Sequence, residues 1–191
     1  MLSRPQKILV VDDNISLRST LSVVLAALGY EVRSAMDGFS ALNEIRKGVP
    51  DVLLSDLNMP GMSGFELLSV VSRRFPQIRV IAMSGAFSEH TVPPNVAADA
   101  FYRKGTGVES LLRMLDSLKD GTLSLVRHGR VPIWISKPAS DPCDDTHVVI
   151  SCPECLRVFP QTVQNGSLSG VEARCVHCAS LVRFALVQTV M

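Results

Sequence analysis

Asp12 and Asp13 close one apolar run of this sequence, Asp56 closes another, Ser84 a third, and Lys104 a short fourth. Three carboxylates brought together repel one another and need a cation. Hard oxygen ligands that leave room for water and phosphate suit Mg²⁺. An ammonium and a hydroxyl facing them suit phosphoryl oxygens. If these side chains converge, the chemistry they define is phosphoryl transfer onto a carboxylate nucleophile, Asp56. A second set lies far downstream. Cys152-x-x-Cys155 and Cys175-x-x-Cys178, with 19 residues between the pairs, have the spacing of a tetrahedral zinc site. Four thiolates close such a site against water, which points to a structural role rather than a catalytic one.

Elements must carry these groups to one place. Lys7 to Val11 reads as a buried strand, and Asn14 or Ser16 can cap a helix through Leu17, Leu21, Val24, Leu25 and Leu28, stopped by Gly29. Tyr30 to Ala35 reads as a second strand. Asp37-Gly38 opens a helix through Ala41, Leu42 and Ile45. The run ending in Asp56 is apolar enough for a strand covered on both faces. Phe65, Leu67, Leu68 and Val71 mark a third helix, Ile78 to Met83 a fourth strand, Ala100 to Arg103 a fifth, and Val108 to Leu118 a last helix. Pro93-Pro94 falls where another helix would be expected, and both prolines oppose helix interior geometry, so a short or broken helix is expected there. Strands alternating with helices imply a doubly wound parallel sheet with helices on both faces. With strand order 2-1-3-4-5, the first and third strands are neighbours, and their carboxyl ends form the switch point where ligands bind.

The sequence divides into an α/β domain over 5–120, a linker over 121–146 and a small β-rich unit over 147–191. In the linker, Leu123 to Val126 and Val131 to Ile135 could form a small hairpin. The net charge of +1 gives no electrostatic argument for nucleic acid or membrane. No apolar stretch is long enough to span a bilayer. Asp12 and Asp13 cut short the only N-terminal apolar run, so no signal peptide is read and a cytoplasmic chain is expected. In that compartment paired cysteines favour metal over disulfides.

Residues 7 to about 119 resemble the receiver domain of two-component response regulators. The resemblance is carried by Asp12-Asp13, by Asp56-x-x-Met59-Pro60-Gly61-x-x-Gly64, and by Ser84 and Lys104 in that order. It implies that Asp56 is the phosphoacceptor and that Asp12 and Asp13 hold Mg²⁺ with Asp56 and the backbone carbonyl of Asn58. It implies that Ser84 and Lys104 bind the phosphoryl group and that Phe101 is the aromatic switch residue. It further implies a sensor histidine kinase or phosphotransfer protein as donor. In such domains the fourth helix, fifth strand and fifth helix form the usual signalling and dimer face. Two departures stand out: Gly105 replaces the proline that usually follows the lysine, and the connection from Ser84 to Lys104 is shorter than usual.

The C-terminal segment resembles zinc ribbons, including the short finger-like ribbons of bacterial proteins. A redox dithiol pair or an iron–sulfur site is the other reading of the cysteines. His177 could replace one of them as ligand, and Cys143 and His147 have no evident partner. From Cys143 onward there are three Arg, no Lys and four acids, which favours a protein-interaction ribbon over DNA binding. Outside the α/β domain no nucleophile–base constellation is found, so no catalytic output unit is expected. Three functions remain in play: a phosphorylated regulator whose ribbon contacts protein, a transcriptional regulator whose ribbon contacts DNA, and a scaffold that works without phosphorylation.

Overall fold

The computed structural model describes residues 4–85, 96–119, 132–136, 146–163 and 171–187. Strands β1 (Lys7–Val11), β2 (Glu31–Ala35), β3 (Val52–Asp56), β4 (Arg79–Ser84) and β5 (Ala100–Arg103) form one sheet, ordered β2-β1-β3-β4-β5 and parallel at every pairing. Helices α1 (Ile15–Ala27), α2 (Gly38–Lys47), α3 (Gly64–Arg74) and α4 (Val108–Lys119) cover it. The expected doubly wound order is therefore the observed one.

Side chains alternate across the sheet and build two separate layers. Ile8, Val10, Val52, Leu54, Ile81 and Met83 face Leu21 and Leu25 of α1 and Leu111 and Leu115 of α4. Leu9, Val11, Leu53, Val80 and Ala82 face the opposite layer, with Ala41 and Ile45 of α2 and Phe65, Leu68 and Val71 of α3. β3 is buried along its whole length, its apolar Val52, Leu53 and Leu54 covered on both faces and Ser55 and Asp56 buried after them. Asn14 caps α1, its side chain accepting from the N–H groups of Ser16 and Leu17. Asp37 caps α2 in a reciprocal box with Ser40. Gly29 takes φ +90 just beyond the end of α1, a conformation that costs glycine nothing.

The C-terminal part folds as two hairpin-like pairs. β7 (Thr146–Ser151) pairs antiparallel with β8 (Val158–Val163), and β9 (Val171–Arg174) pairs antiparallel with β10 (Leu181–Val187). β6 (Ile133–Ser136) does not stay in a linker. It joins β10 in parallel and places Ile133 and Ile135 in the core, because an alternating apolar strand has backbone groups to pair and one face to bury. Leu123–Val126, the other half of the expected hairpin, lies outside the described residues, as do Pro93-Pro94 and Cys143.

This unit packs on α3. Phe159, Val182 and Phe184 join the same core layer as Phe65 and Val70. As a result the first eight residues of α3, Gly64 to Val71, are all buried. A helix covered by the sheet on one side and by a β unit on the other has little solvent face left. Burying a side chain such as Phe65 contributes about 2 kcal/mol.

Candidate functional site

The strand ends converge as the order demands. Asp12 follows β1 and is wholly buried; Asp56 ends β3 and is 4% exposed. Carboxylate oxygens of Asp12, Asp13 and Asp56 lie within 4.8 Å of one another. The Lys104 ammonium, which follows β5, reaches both buried acids, at 2.8 Å from Asp12 Oδ2 and 2.8 Å from Asp56 Oδ2. Asp12 is further held by the N–H of Asn14, which donates to Oδ1, and by Arg18, which donates to its backbone carbonyl at 2.6 Å.

These surroundings set the charges. Burial raises the pKa of Asp56, and the neighbouring Asp12 adds to it; Lys104 and the Asn58 backbone N–H oppose the rise. Burial works against the charge of Lys104, yet hydrogen bonds to Asp12 and Asp56 prevail and hold it above the ordinary lysine value. The result is a compact pair of acids around one cation, with Asp13 exposed at the rim.

Ser84 is buried at the end of β4, one residue past Met83, the strand partner of Asp56. Asn58 sits just beyond Asp56 and donates its backbone N–H to it. Phe101 is not part of the cluster. It lies on β5 opposite Ala82, half-buried, in a cleft shared with Arg113 and Met114. Gly105 adopts φ +90, a value closed to proline, so the loop after Lys104 takes a course of its own.

The loop from Asp56 to α3 is built on close backbone approach. A Cβ on Gly64 would stand 1.8 Å from the Asp56 carbonyl oxygen. Gly64 N–H donates to Leu57 O, and Ser63 caps the helix by accepting from Glu66 N–H. Gly64, the last glycine of the Asp56-x-x-Met59-Pro60-Gly61-x-x-Gly64 motif, thus lets the start of α3 close on the backbone of Asp56.

The four cysteines also meet. Cys152 and Cys155 join β7 to β8, and Cys175 and Cys178 join β9 to β10. The two loops repeat each other. Cys152 N–H donates to Arg157 O and Cys175 N–H to Ser180 O, each five residues on. Leu156 N–H donates to Cys152 O and Ala179 N–H to Cys175 O, and Leu156 and Ala179 both take positive φ, +55 and +60. The Cys152–Cys178 and Cys155–Cys175 sulfurs are 3.6 and 3.7 Å apart. A tetrahedron with metal–sulfur bonds of about 2.3 Å has edges of about 3.8 Å, so the sulfurs fit one ion. Burial pushes the Cys152 thiol up to about 12, while hydrogen bonding with Ser180 draws Cys178 down to about 6. His177 stays outside the cluster, donating Nε2–H to Val158 O at 2.9 Å. His147 pairs with Thr162 Oγ1 through Nδ1.

Sequence reasoning missed the contacts on the outer face of α3. Glu66 is 4% exposed, and its Oε1 accepts from Ser151 N–H at 2.7 Å. Ser69 Oγ accepts from Trp134 N–H at 3.3 Å, and Arg73 approaches Glu154 at 3.8 Å. Burial pushes Glu66 up to about 7, against the hydrogen bonds from Ser151. The sequence carried no local signal for them: Glu66, Ser69 and Arg73 form a polar stripe, and such a stripe reads as the solvated face of an amphipathic helix.

A sheet of this order, with a lysine facing clustered acids at its carboxyl edge, places this site at the switch point of a doubly wound α/β domain. The family model "Response regulator receiver domain" matches residues 8–115, and the chain belongs to that family. It is 41% identical over 75 residues to the DNA-binding transcriptional regulator NtrC of Escherichia coli K12, a match covering 39% of this chain and 16% of that protein. It is 39% identical over 79 residues to sporulation initiation phosphotransferase F of Bacillus subtilis, covering 41% of this chain and 64% of that protein. The chemotaxis response regulator CheY4 of Vibrio cholerae superposes with a TM-score of 0.56 at 35% identity, covering 60% of this chain and 99% of that one. The Thermotoga maritima response regulator TrrA in complex with Mg(2+)-BeF gives a TM-score of 0.55 at 30% identity, covering 59% of this chain and 98% of that one. Receiver domains bind Mg²⁺ at an acidic site and interact with histidine kinases or phosphotransfer proteins. Among the described residues no helix is long and apolar enough to cross a membrane.

Proposed function

We propose that this protein is a two-component response regulator that accepts a phosphoryl group on Asp56 and uses its C-terminal unit as a zinc-ribbon interaction module. The observation that carries this reading is Lys104 bridging the buried Asp12 and Asp56, with Asp13 beside them. The donor set of hard carboxylate oxygens fits Mg²⁺. Asp12, Asp13, Asp56 and the Asn58 carbonyl would hold the ion, which supplies positive charge against the phosphoryl oxygens when bound.

The rest is done by the chain. The Asp56 carboxylate attacks the phosphorus of a phosphohistidine in a histidine kinase or phosphotransfer protein. The new P–O bond forms as the P–N bond breaks, and the imidazole keeps the electron pair of that bond. Lys104 exchanges a carboxylate partner for a phosphoryl oxygen, and Ser84 turns its hydroxyl to another. Phe101, on the strand that leads to Lys104, then follows Ser84. The protein performs no turnover of its own beyond accepting and losing the phosphoryl group. Reduced thiols suit a cytoplasmic location. Zn²⁺ on Cys152, Cys155, Cys175 and Cys178 would close the two knuckles, and the acidic balance of the ribbon supports a protein partner over DNA.

Incubation with acetyl phosphate and Mg²⁺, followed by intact-mass measurement, tests the acceptor. Wild type is expected to gain one phosphoryl group and Asp56→Asn none; continued labelling of the variant would sink the assignment.

A further inference from the structure

The acceptor site and the cysteine cluster are joined by a single helix. At its N-terminal end α3 is locked to Asp56: Gly64 has no room for a side chain against the Asp56 carbonyl, and that carbonyl also accepts from Ser55 Oγ at 3.0 Å. Along its outer side, Glu66, Ser69 and Arg73 recur at helical spacing and therefore form one stripe. Each meets the C-terminal unit. Glu66 accepts from the N–H of Ser151, the residue before the first cysteine ligand. Arg73 approaches Glu154, which lies inside the first knuckle. Ser69 accepts from Trp134 N–H on β6, whose strand partner β10 leaves the second knuckle.

The Glu66 and Ser69 contacts are not loose surface contacts. Phe65 and Val70 of α3 share one buried layer with Phe159, Val182 and Phe184. Breaking the Glu66–Ser151 hydrogen bond would leave a buried donor and acceptor unmatched, which is costly. Packed layers of this kind do not deform continuously; they shift as a body or part. A displacement of the loop after Asp56 is therefore passed along α3 to the first knuckle.

We propose that α3 is the output face of this receiver, and that phosphorylation of Asp56 and metal occupancy of the Cys152/Cys155/Cys175/Cys178 cluster are thermodynamically coupled through the Glu66–Ser151 contact. The proposal rests on the phosphoacceptor and zinc readings above. Glu66 acts here as a positioning residue, holding the first knuckle in register with the acceptor loop. Coupling is reciprocal: a phosphoryl mimic at Asp56 alters zinc affinity, and zinc alters affinity for the mimic by the same factor.

The test uses the full chain. Zinc affinity is measured by competition with a chromophoric chelator, with and without Mg²⁺ and beryllofluoride. Emission from Trp134, the single tryptophan, is followed in parallel as a readout that does not need zinc. Acetyl phosphate and intact mass establish acceptance at Asp56. The expected result is a change in zinc affinity of roughly five-fold or more with beryllofluoride, and a change in Trp134 emission. Both are absent in Asp56→Asn. Glu66→Ala reduces them, whereas Glu66→Gln, which keeps an acceptor for Ser151 N–H, retains them. Should Glu66→Ala fail to fold, Glu66→Asp, whose shorter side chain withdraws the carboxylate from Ser151 N–H, takes its place, with the same loss expected. A full mass gain with zinc affinity and emission both unchanged overturns the coupling and leaves the acceptor reading intact. No mass gain overturns the acceptor reading and the coupling together. If no zinc binds, the ribbon reading and its metal coupling fall, and emission alone decides whether α3 carries the signal: a change supports it and constancy overturns it.

Discussion

Asp12, Asp13, Asp56 and Lys104 meet because β1, β3 and β5 end at one edge of a sheet, whereas the four cysteines meet because two short loops face each other. The first cluster needs the whole receiver core: its members span residues 12 to 104, with the acids at the ends of the buried strands β1 and β3 and Lys104 after the edge strand β5. The second is mostly local. Each knuckle closes on itself through two backbone hydrogen bonds and one residue of positive φ, and only the approach of the two hairpins is long-range. A site at strand ends can therefore be held by the apolar core before an ion arrives. A site of two knuckles in a unit this small, read as a zinc site as proposed above, would take much of its folding energy from the ion. α3 lies where these two modes of construction touch.

The comparison can be broken most forcefully at the cysteines. Zinc binding in modules of this kind is worth about 10 kcal/mol at neutral pH. Cys152→Ser is expected to abolish the intense thiolate–cobalt absorption of the Co²⁺-substituted protein and to unfold the C-terminal hairpins. Hydrogen exchange should rise across 146–187 and on the outer face of α3, while the strands of the receiver sheet stay protected. Loss of protection in β1 and β3 as well would show that the two regions fold as one unit.

Gly64→Ala attacks the close approach of α3 to Asp56 instead. With a Cβ placed 1.8 Å from the Asp56 carbonyl, the start of α3 must move. A loss of about 3 kcal/mol in chemical denaturation is expected, together with slower labelling of Asp56 by acetyl phosphate. Unchanged stability would mean that α3 is not anchored to the acceptor loop.

Glu66 offers a subtler probe through pH. Its folded-state pKa, raised from 4.5 to about 7, favours the protonated form in the folded protein. The stability this contributes is complete below pH 4.5 and is lost as pH rises through about 7. The span corresponds to about 3 kcal/mol at most. Glu66→Gln removes the titration, so the variant should match wild type near pH 4.5 and exceed it by up to that amount at pH 8. Denaturation midpoints of the two proteins across this range check the sign; parallel curves would place Glu66 in water. Arg73→Ala is expected to matter least. Its partner Glu154 is nearly half exposed, and a pair at 3.8 Å in that setting contributes less than about 1 kcal/mol.

Much of the acidic cluster was legible in the sequence. Val52, Leu53 and Leu54 gave the apolar run that a doubly covered strand requires, and Asp12-Asp13, Ser84 and Lys104 stood after other apolar runs. The parallel, doubly wound sheet followed from the alternation of elements, while its order 2-1-3-4-5 was an assumption that the structure bears out. Asn14 and Asp37 were already recognisable at the starts of their helices. The cysteine spacing announced two knuckles, because that constraint is written within a few residues of chain.

Less of the C-terminal architecture was legible. Ile133 to Ser136 looked like part of a linker, since a strand's partner is not encoded in its own alternation. Only the fold showed β10 beside it. Phe65, Leu67, Leu68 and Val71 predicted a helix with one buried stripe, and the sequence alone determined that helix and the face it turns to the sheet. That the opposite face is buried too was decided by the C-terminal unit. The state of Glu66 depends on a backbone N–H 85 residues away. Local pattern fixes which side chains can leave water, but burial of a carboxylate depends on what the rest of the chain brings against it.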